Sequence, residues 1–140
     1  MDTTVVRVLQ LRRVEIFSTL SFETLAELAG LVRTYDAPAG SVIISVNSLG
    51  QELYALVSGT AEVRTKDGGV RTLEAGSVFG ELAILDPGPR TATVTALSDC
   101  ALIVVPRSTV LALADRRPEV MVEIAKVLAR RLATMPERVS

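Results

Sequence analysis

The chain has no histidine, no tryptophan and a single cysteine, Cys100. Without histidine it lacks the side chain most often used as a general base and most often bound to metal. A structural zinc site, which draws four ligands mainly from Cys and His, has no ligand set here. One cysteine cannot close an intrachain disulfide, which fits a reducing compartment. No apolar run approaches the ~20 residues of a membrane span. Residues 1–11 mix charges through the segment and offer no small-residue cleavage site, so they do not read as a signal peptide. The expectation is a cytoplasmic chain, or the cytoplasmic part of a larger membrane protein. Lysine occurs only at Lys66 and Lys126, an arginine bias that suggests a GC-rich bacterial genome. The net charge of −1 leaves no general basic surface for coating nucleic acid, so direct nucleic-acid binding by this chain is not expected.

What is present suits one domain. The 140 residues, 49% hydrophobic and 22% charged, suffice for a single core and are too apolar for a disordered segment. The first third is helical in pattern. Val5, Val6, Leu9 and Arg12-Arg13 form a short amphipathic segment running towards Ile16-Phe17. Ser21 then precedes a helix with apolar residues Leu25, Leu28, Ala29 and Val32 at 3–4 spacing. Ser21 is a good N-cap, and with Thr24 it makes half a capping box.

The middle third changes period. Short apolar runs are broken by glycine about every 8–12 residues: Val42-Ile43-Ile44, Leu53 through Val57, Ala61 through Arg64, Val70 through Leu73, Thr93 through Ala96, and Leu102 through Val105. This spacing predicts an all-β sandwich or barrel. Asp67-Gly68 between two alternating runs signals a hairpin. Helical pattern returns at residues 108–114. After Arg116-Arg117-Pro118, an apolar stripe of Val120, Ile124, Val127, Leu128 and Leu132 predicts a longer helix that Pro136 ends.

One segment, residues 79–94, breaks the β pattern. It holds one turn of apolar helix and then the loop Pro87-Gly88-Pro89, which delivers Arg90 and Thr91 to the next strand. A short helix beginning near Gly80 offers unpaired N–H groups that favour an anion, and Gly80 lets backbone approach a ligand closely. Arg90 presents a planar fork matched to phosphate oxygens. Glu81 would be repelled by phosphate and fits only beside hydroxyl donors such as a ribose 2′-OH. Acid for sugar, with arginine and helix N-terminus for phosphate, suits a nucleotide of single negative charge. The bland alternative is a surface Glu81–Arg90 pair beside an ordinary turn.

Phe79-Gly80-Glu81-Leu82-Ala83, followed by Pro89-Arg90-Thr91-Ala92-Thr93-Val94, closely resembles the phosphate-binding cassette of the cyclic-nucleotide-binding domain family. This is the module of the catabolite activator protein, kinase regulatory subunits and cyclic-nucleotide-regulated channels. The resemblance extends over nearly the whole chain, through Gly40, Gly50, Gly59 and Gly76 of the β-roll and the N-terminal helices. It implies a mainly β fold: an eight-stranded antiparallel β-roll (jelly-roll) with an N-terminal helical bundle and C-terminal helices. Residues 1–140 would form one domain, divided into N-terminal helices (1–34), β-roll (35–106) and C-terminal hinge and lid helices (107–135). By the same resemblance Glu81 would bind the ribose 2′-OH and Arg90 the cyclic phosphate. Gly80, Leu82, Ala83 and Ala92 would help to hold sugar and phosphate, Thr91 would lie beside the base, and Arg131 would reach the base from a closing last helix.

The implied ligand is cAMP, favoured over cGMP, although a hydroxyl at Thr91 does not decide the base. No cofactor, metal or catalytic residue is expected, and the chain is not expected to be an enzyme. A metal-binding cupin, similar in outline, would need the histidines this chain lacks. The implied role is a regulatory sensor that passes a conformational signal to a fused or partner effector domain, for example a membrane transporter or channel, with a homodimer as a further option. Two alternatives stand beside it: a catabolite-activator-type transcription regulator cut before its DNA-binding domain, and a degenerate roll that binds nothing. Three smaller expectations complete the reading. Tyr54 belongs to the core rather than to a stacking platform, Cys100 is a small buried strand residue, and Asp115-Arg116-Arg117 is a plain break between helices.

Overall fold

The computed structural model describes residues 3–133. Helix α1 (Thr3–Arg12) leads through a 3-10 turn (Glu15–Phe17) into α2 (Phe22–Ala29). The Ser21 hydroxyl accepts from the Thr24 N–H at 3.2 Å and so caps α2. The buried face of α1 is not the expected one. Val8 and Leu11 are buried, whereas Val5 and Leu9 are 42% and 56% exposed. Val5/Leu9 and Val8/Leu11 are competing apolar pairs at helical spacing on one short segment, and packing against α2 decides between them.

The chain then enters ten strands, with one short helix among them: β1 (Arg33–Ala37), β2 (Val42–Ile44), β3 (Leu49–Gly50), β4 (Glu52–Ser58), β5 (Ala61–Thr65), β6 (Val70–Leu73), β7 (Val78–Phe79), α3 (Leu82–Leu85), β8 (Gly88–Pro89), β9 (Ala92–Ala96) and β10 (Cys100–Pro106). Eight of them form two four-stranded antiparallel sheets, ordered β1-β10-β4-β7 and β2-β9-β5-β6. These are the eight strands of the expected β-roll. A two-residue ladder, β3 with β8, is added to them and was not foreseen. The Asp67-Gly68 signal lies in the β5–β6 turn, where Gly68 has φ +92°. The Asp67 carboxylate accepts from the Thr65 hydroxyl and from the Gly69 N–H, and these bonds hold its carboxyl below the usual range.

Strands β4 and β10, at the centre of their sheet, are buried on both faces, which explains their unbroken apolar runs. Leu53, Ala55, Ile103 and Val105 face a core shared with the helices. Leu56, Cys100 and Leu102 point the other way, into the roll, where they meet Val63, Leu73, Phe79 and Val94. Strand alternation sends successive side chains to opposite layers, so two cores share one sheet. Cys100 is buried, and its thiol donates to the Thr60 and Ser98 carbonyls at 3.2 and 3.3 Å. Burial pushes the thiol pKa up. Tyr54 stacks on Phe79, with ring centroids 5.3 Å apart, and belongs to the core as expected.

Helices α4 (Arg107–Arg116) and α5 (Glu119–Ala133) close the described chain. Val120, Ile124 and Val127 are buried with Val8, Leu11, Ile16 and Phe17, and Leu128 packs beside them. Leu132 leaves the predicted stripe and is 53% exposed, one turn past the last α5 residue packed on that core. Arg116 and Arg117 are more than a break between helices. Both pair with Glu27 on α2, Arg117 at 3.0 Å, and they hold the Glu27 carboxyl below its usual range. Pro136, expected to end α5, lies outside the described residues.

Candidate functional site

The short strand β7 ends where Gly80 takes φ +76°, a left-handed conformation that other residues adopt at a cost. The chain turns there into α3. The Ala83 N–H donates to the Gly80 carbonyl at 3.2 Å, and the Ile84 N–H to the Glu81 carbonyl at 3.1 Å. After α3, β8 folds back onto Leu49-Gly50, pairing Pro89 with Leu49 and Gly88 with Gly50. The ladder continues by single bonds. The Arg90 N–H donates to Ser48, and the Asn47 N–H donates to the Arg90 carbonyl, each at 2.8 Å. Asn47 itself has φ +71°. The backbone of Arg90 is thus pinned from both sides before β9 begins.

Its side chain is equally constrained. Arg90 is only 8% exposed. Its Nη2 donates to the Glu52 carbonyl at 2.9 Å and its Nη1 to the Gly80 carbonyl at 3.4 Å. A Cβ on Gly50 would stand 2.5 Å from Nη2, and one on Gly80 would stand 2.8 Å from Nη1. The two glycines are therefore the walls of a slot cut to the guanidinium. Two neutral carbonyls satisfy part of its hydrogen bonding, and a buried guanidinium gains most from an anion.

The slot opens into a cavity of about 760 Å³. Gly80, Glu81, Leu82, Ala83, Arg90, Thr91 and Ala92 all line it, so the structure brings together seven of the expected site residues. Thr91 and Leu82 are exposed at its rim, and Ala83 and Arg90 are buried in its wall. The Ala83 amide is engaged with Gly80, as described above. The opposite wall is the inner face of β5, β6 and β9, including Val63, Thr65, Arg71 and Val94. Arg131 lies on α5, whose stripe is packed on the N-terminal helices, and its side chain lies outside the described part of the structure. Sequence reasoning missed Gly50, the Glu52 carbonyl and Arg71. Of these, only Gly50 leaves a signal in the sequence, as one of the glycines by which the chain resembles a β-roll.

The geometry defines a class: a β-roll with a cavity whose floor holds a caged arginine beside a carboxylate. The model of the family described as "Cyclic nucleotide-binding domain" matches residues 36–117, more than half of the chain. The chain is 32% identical over 127 residues to a CRP-like cAMP-activated global transcriptional regulator of Mycobacterium tuberculosis, covering 87% of this chain and 57% of that protein. It is 32% identical over 124 residues to a cyclic nucleotide-gated potassium channel of Rhizobium etli, covering 89% of this chain and 35% of the channel. Among solved structures, the N-terminal domain of a transcriptional regulator from Streptomyces coelicolor superposes with a TM-score of 0.75 at 31% identity, covering 89% of this chain and 90% of that domain. The chain therefore belongs to the cyclic nucleotide-binding domain family, a family of regulatory sensor domains, and it spans only part of the curated relatives it matches.

Proposed function

We propose that this chain is a ligand-sensing module that binds a cyclic nucleotide between the cassette and the β5–β9 wall, with cAMP the first candidate and cGMP the second. The observation that carries this reading is the caged guanidinium of Arg90, which faces a nucleotide-sized cavity together with Glu81. Arg90 takes the cyclic phosphate and Glu81 the ribose 2′-OH. Gly80, Leu82, Ala83 and Ala92 shape the floor, Thr91 lies beside the base, and Arg131 is the candidate lid contact. The chemistry is recognition without catalysis, and neither metal nor cofactor has a part in it. The signal leaves through α4 and α5 to a fused or partner domain on the cytoplasmic side, a channel or transporter among the options, and a homodimer is compatible with it. No helix among the described residues is long and apolar enough to cross a membrane.

A second reading is favoured by one observation. The Mycobacterium tuberculosis relative is a transcriptional regulator of which this chain covers 57%, so the effector could be a DNA-binding domain. The test of the shared claim is thermal. A ligand at 100 times its Kd adds about 2.7 kcal/mol to stability, enough to raise Tm by several degrees. Saturating cAMP or cGMP is expected to do so and linear 5′-AMP is not. No shift with either cyclic nucleotide would leave the degenerate, non-binding roll as the correct description.

A further inference from the structure

An unpaired edge strand invites pairing with another chain unless it is short, bulged or marked by an inward charge. The two four-stranded sheets end in β1, β7, β2 and β6, and three of these edges are blunted in one of those ways. Strand β7 has only two residues. Strand β2 has three, with a register shift against β9. Strand β6 carries Arg71 at an inward position, opposite the buried Val63 of β5. Strand β1 is different. It runs for five residues without proline, in unbroken register with β10, and Arg33, Thr34, Tyr35 and Asp36 are all exposed.

The strands behind β1 determine which of its backbone groups reach the free edge. Leu56 of β4 donates to the Ser77 carbonyl at 2.9 Å and accepts from the Gly76 N–H at 2.8 Å, on the side away from β10. The Gln51 carbonyl, of opposite parity, accepts from the Arg107 N–H at 2.7 Å on the β10 side. Residues of an antiparallel strand alternate in this direction, and residues directly opposite each other share one pair type. Leu56 opposes Leu102, and Leu102 opposes Tyr35. Leu102 and Tyr35 therefore exchange their backbone bonds, while Thr34 and Asp36 turn N–H and C=O outward. Among the described residues, neither of these two side chains makes a hydrogen bond or ion pair.

We infer that β1 is a self-pairing edge, which joins two copies of this chain antiparallel about a two-fold axis at Tyr35. In this register Thr34 lies opposite the partner's Asp36, and Asp36 opposite the partner's Thr34. Every outward N–H and C=O of the two residues is then paired. The Thr34 hydroxyl donates to the partner's Asp36 carboxylate, and symmetry repeats the bond. On the other face Tyr35 meets the partner's Tyr35, and Arg33 reaches that ring diagonally. Neighbouring registers lose this match. An axis at Thr34 leaves Asp36 opposite Val32, outside the strand, and an axis at Asp36 sets two carboxylates against each other. Such self-complementarity is what an isologous contact requires, and it selects a second copy over a foreign strand. None of Arg33, Thr34, Tyr35 and Asp36 lines the cavity, so the inference is independent of the ligand.

Sedimentation velocity of the full chain over a range of concentrations, with Tm measured alongside, tests it. The edge is small beside a standard interface, so the expected wild-type Kd lies between about 10 µM and about 1 mM. Proline is tolerated on an edge strand whose N–H faces solvent. Thr34→Pro should therefore keep the wild-type Tm and dimerise about tenfold more weakly or worse. Thr34→Lys sets a cation opposite the partner's Asp36 and should tighten the dimer about threefold, whereas lysine on an edge without this register opposes association. A wild type that stays monomeric throughout overturns the inference and leaves the edge to a strand of a different protein. So does unchanged dimerisation of Thr34→Pro, or weakening by Thr34→Lys. Unfolding of Thr34→Pro overturns it as well, because the Thr34 N–H would then belong to the β1–β10 ladder.

Discussion

Arg90 is held in position by contacts within the chain itself. Its backbone is pinned by Asn47 and Ser48, its guanidinium by the carbonyls of Glu52 and Gly80, and its slot is walled by Gly50 and Gly80. A donor fork that is already oriented loses little entropy on binding, which is the energetic value of such a cage. Gly50→Ala tests the cage without touching the charge. The new methyl would overlap Nη2, so the variant should fold and bind cAMP several-fold more weakly, as read by calorimetry. Wild-type affinity for Gly50→Ala would show that the slot has no bearing on binding. Glu81 offers a second test. Glu81→Gln should weaken cAMP, yet differ little from wild type for 2′-deoxy-cAMP, because the hydroxyl that Glu81 reads is then gone. A wild-type chain indifferent to the 2′-OH contradicts that role. At this scale the sequence was informative where a side chain lines the cavity within the continuous segment, as at Glu81 and Arg90. It was silent at Glu52, whose contribution is a backbone carbonyl, and at Arg71, whose inward direction depends on the register between β5 and β6.

The elements around the cavity are linked by a few polar contacts. Arg107, the first residue of α4, donates from Nε to the Ile84 carbonyl of α3 at 3.0 Å. A shift of α3 on ligand binding would be passed through this bond to the start of the C-terminal helices. Helix α5 rests on the N-terminal bundle through Val120, Ile124 and Val127, and Thr19 donates to Glu123 at 2.9 Å. Ligand moves this arrangement only by binding another one more tightly, with couplings of about 1–3 kcal/mol being ordinary. Saturating cAMP should therefore slow amide exchange in residues 120–132, and Arg107→Ala should reduce that effect while leaving the β-roll protected. Identical exchange with and without ligand would mean that α5 is not the output element.

The Glu27 clasp gives a separate test by pH. Its carboxyl is depressed from the ordinary value near 4.5, first by the hydrogen bond from Arg116 and then by that from Arg117. A depressed folded pKa contributes stability above the ordinary value, and that contribution is lost as pH falls through the folded one. Glu27→Gln should lower Tm at about pH 7, and the deficit should shrink as pH falls below the ordinary carboxylate value and through the depressed one. A deficit independent of pH would mean that the carboxylate charge is not what holds α4 and α5 to α2.

At the scale of the molecule, one sheet serves two cores, and that arrangement explains which parts of the fold were legible. The glycine-punctuated runs announced the roll, and the helical periods announced α2 and α5. A run such as Leu53 through Val57 is apolar throughout because the helices cover one face and the roll the other. The inner face of α1, the β3–β8 ladder and the Glu27 clasp were not legible, since each is decided by a partner distant in sequence. The same holds for the cavity as a whole. The cassette was visible as a continuous segment, while its opposite wall was assembled by strand pairing.

The central claim is that this cavity takes a cyclic nucleotide with its phosphate on Arg90. Calorimetric titration of cAMP into the wild-type chain and Arg90→Ala, with circular dichroism to confirm that both are folded, tests it most directly. A charged hydrogen bond left unmade costs about 1.5–3 kcal/mol, and each 1.4 kcal/mol is a factor of about ten. The account predicts one-to-one binding by the wild type and at least a tenfold loss in Arg90→Ala. Equal affinity of two folded proteins for cAMP would contradict it.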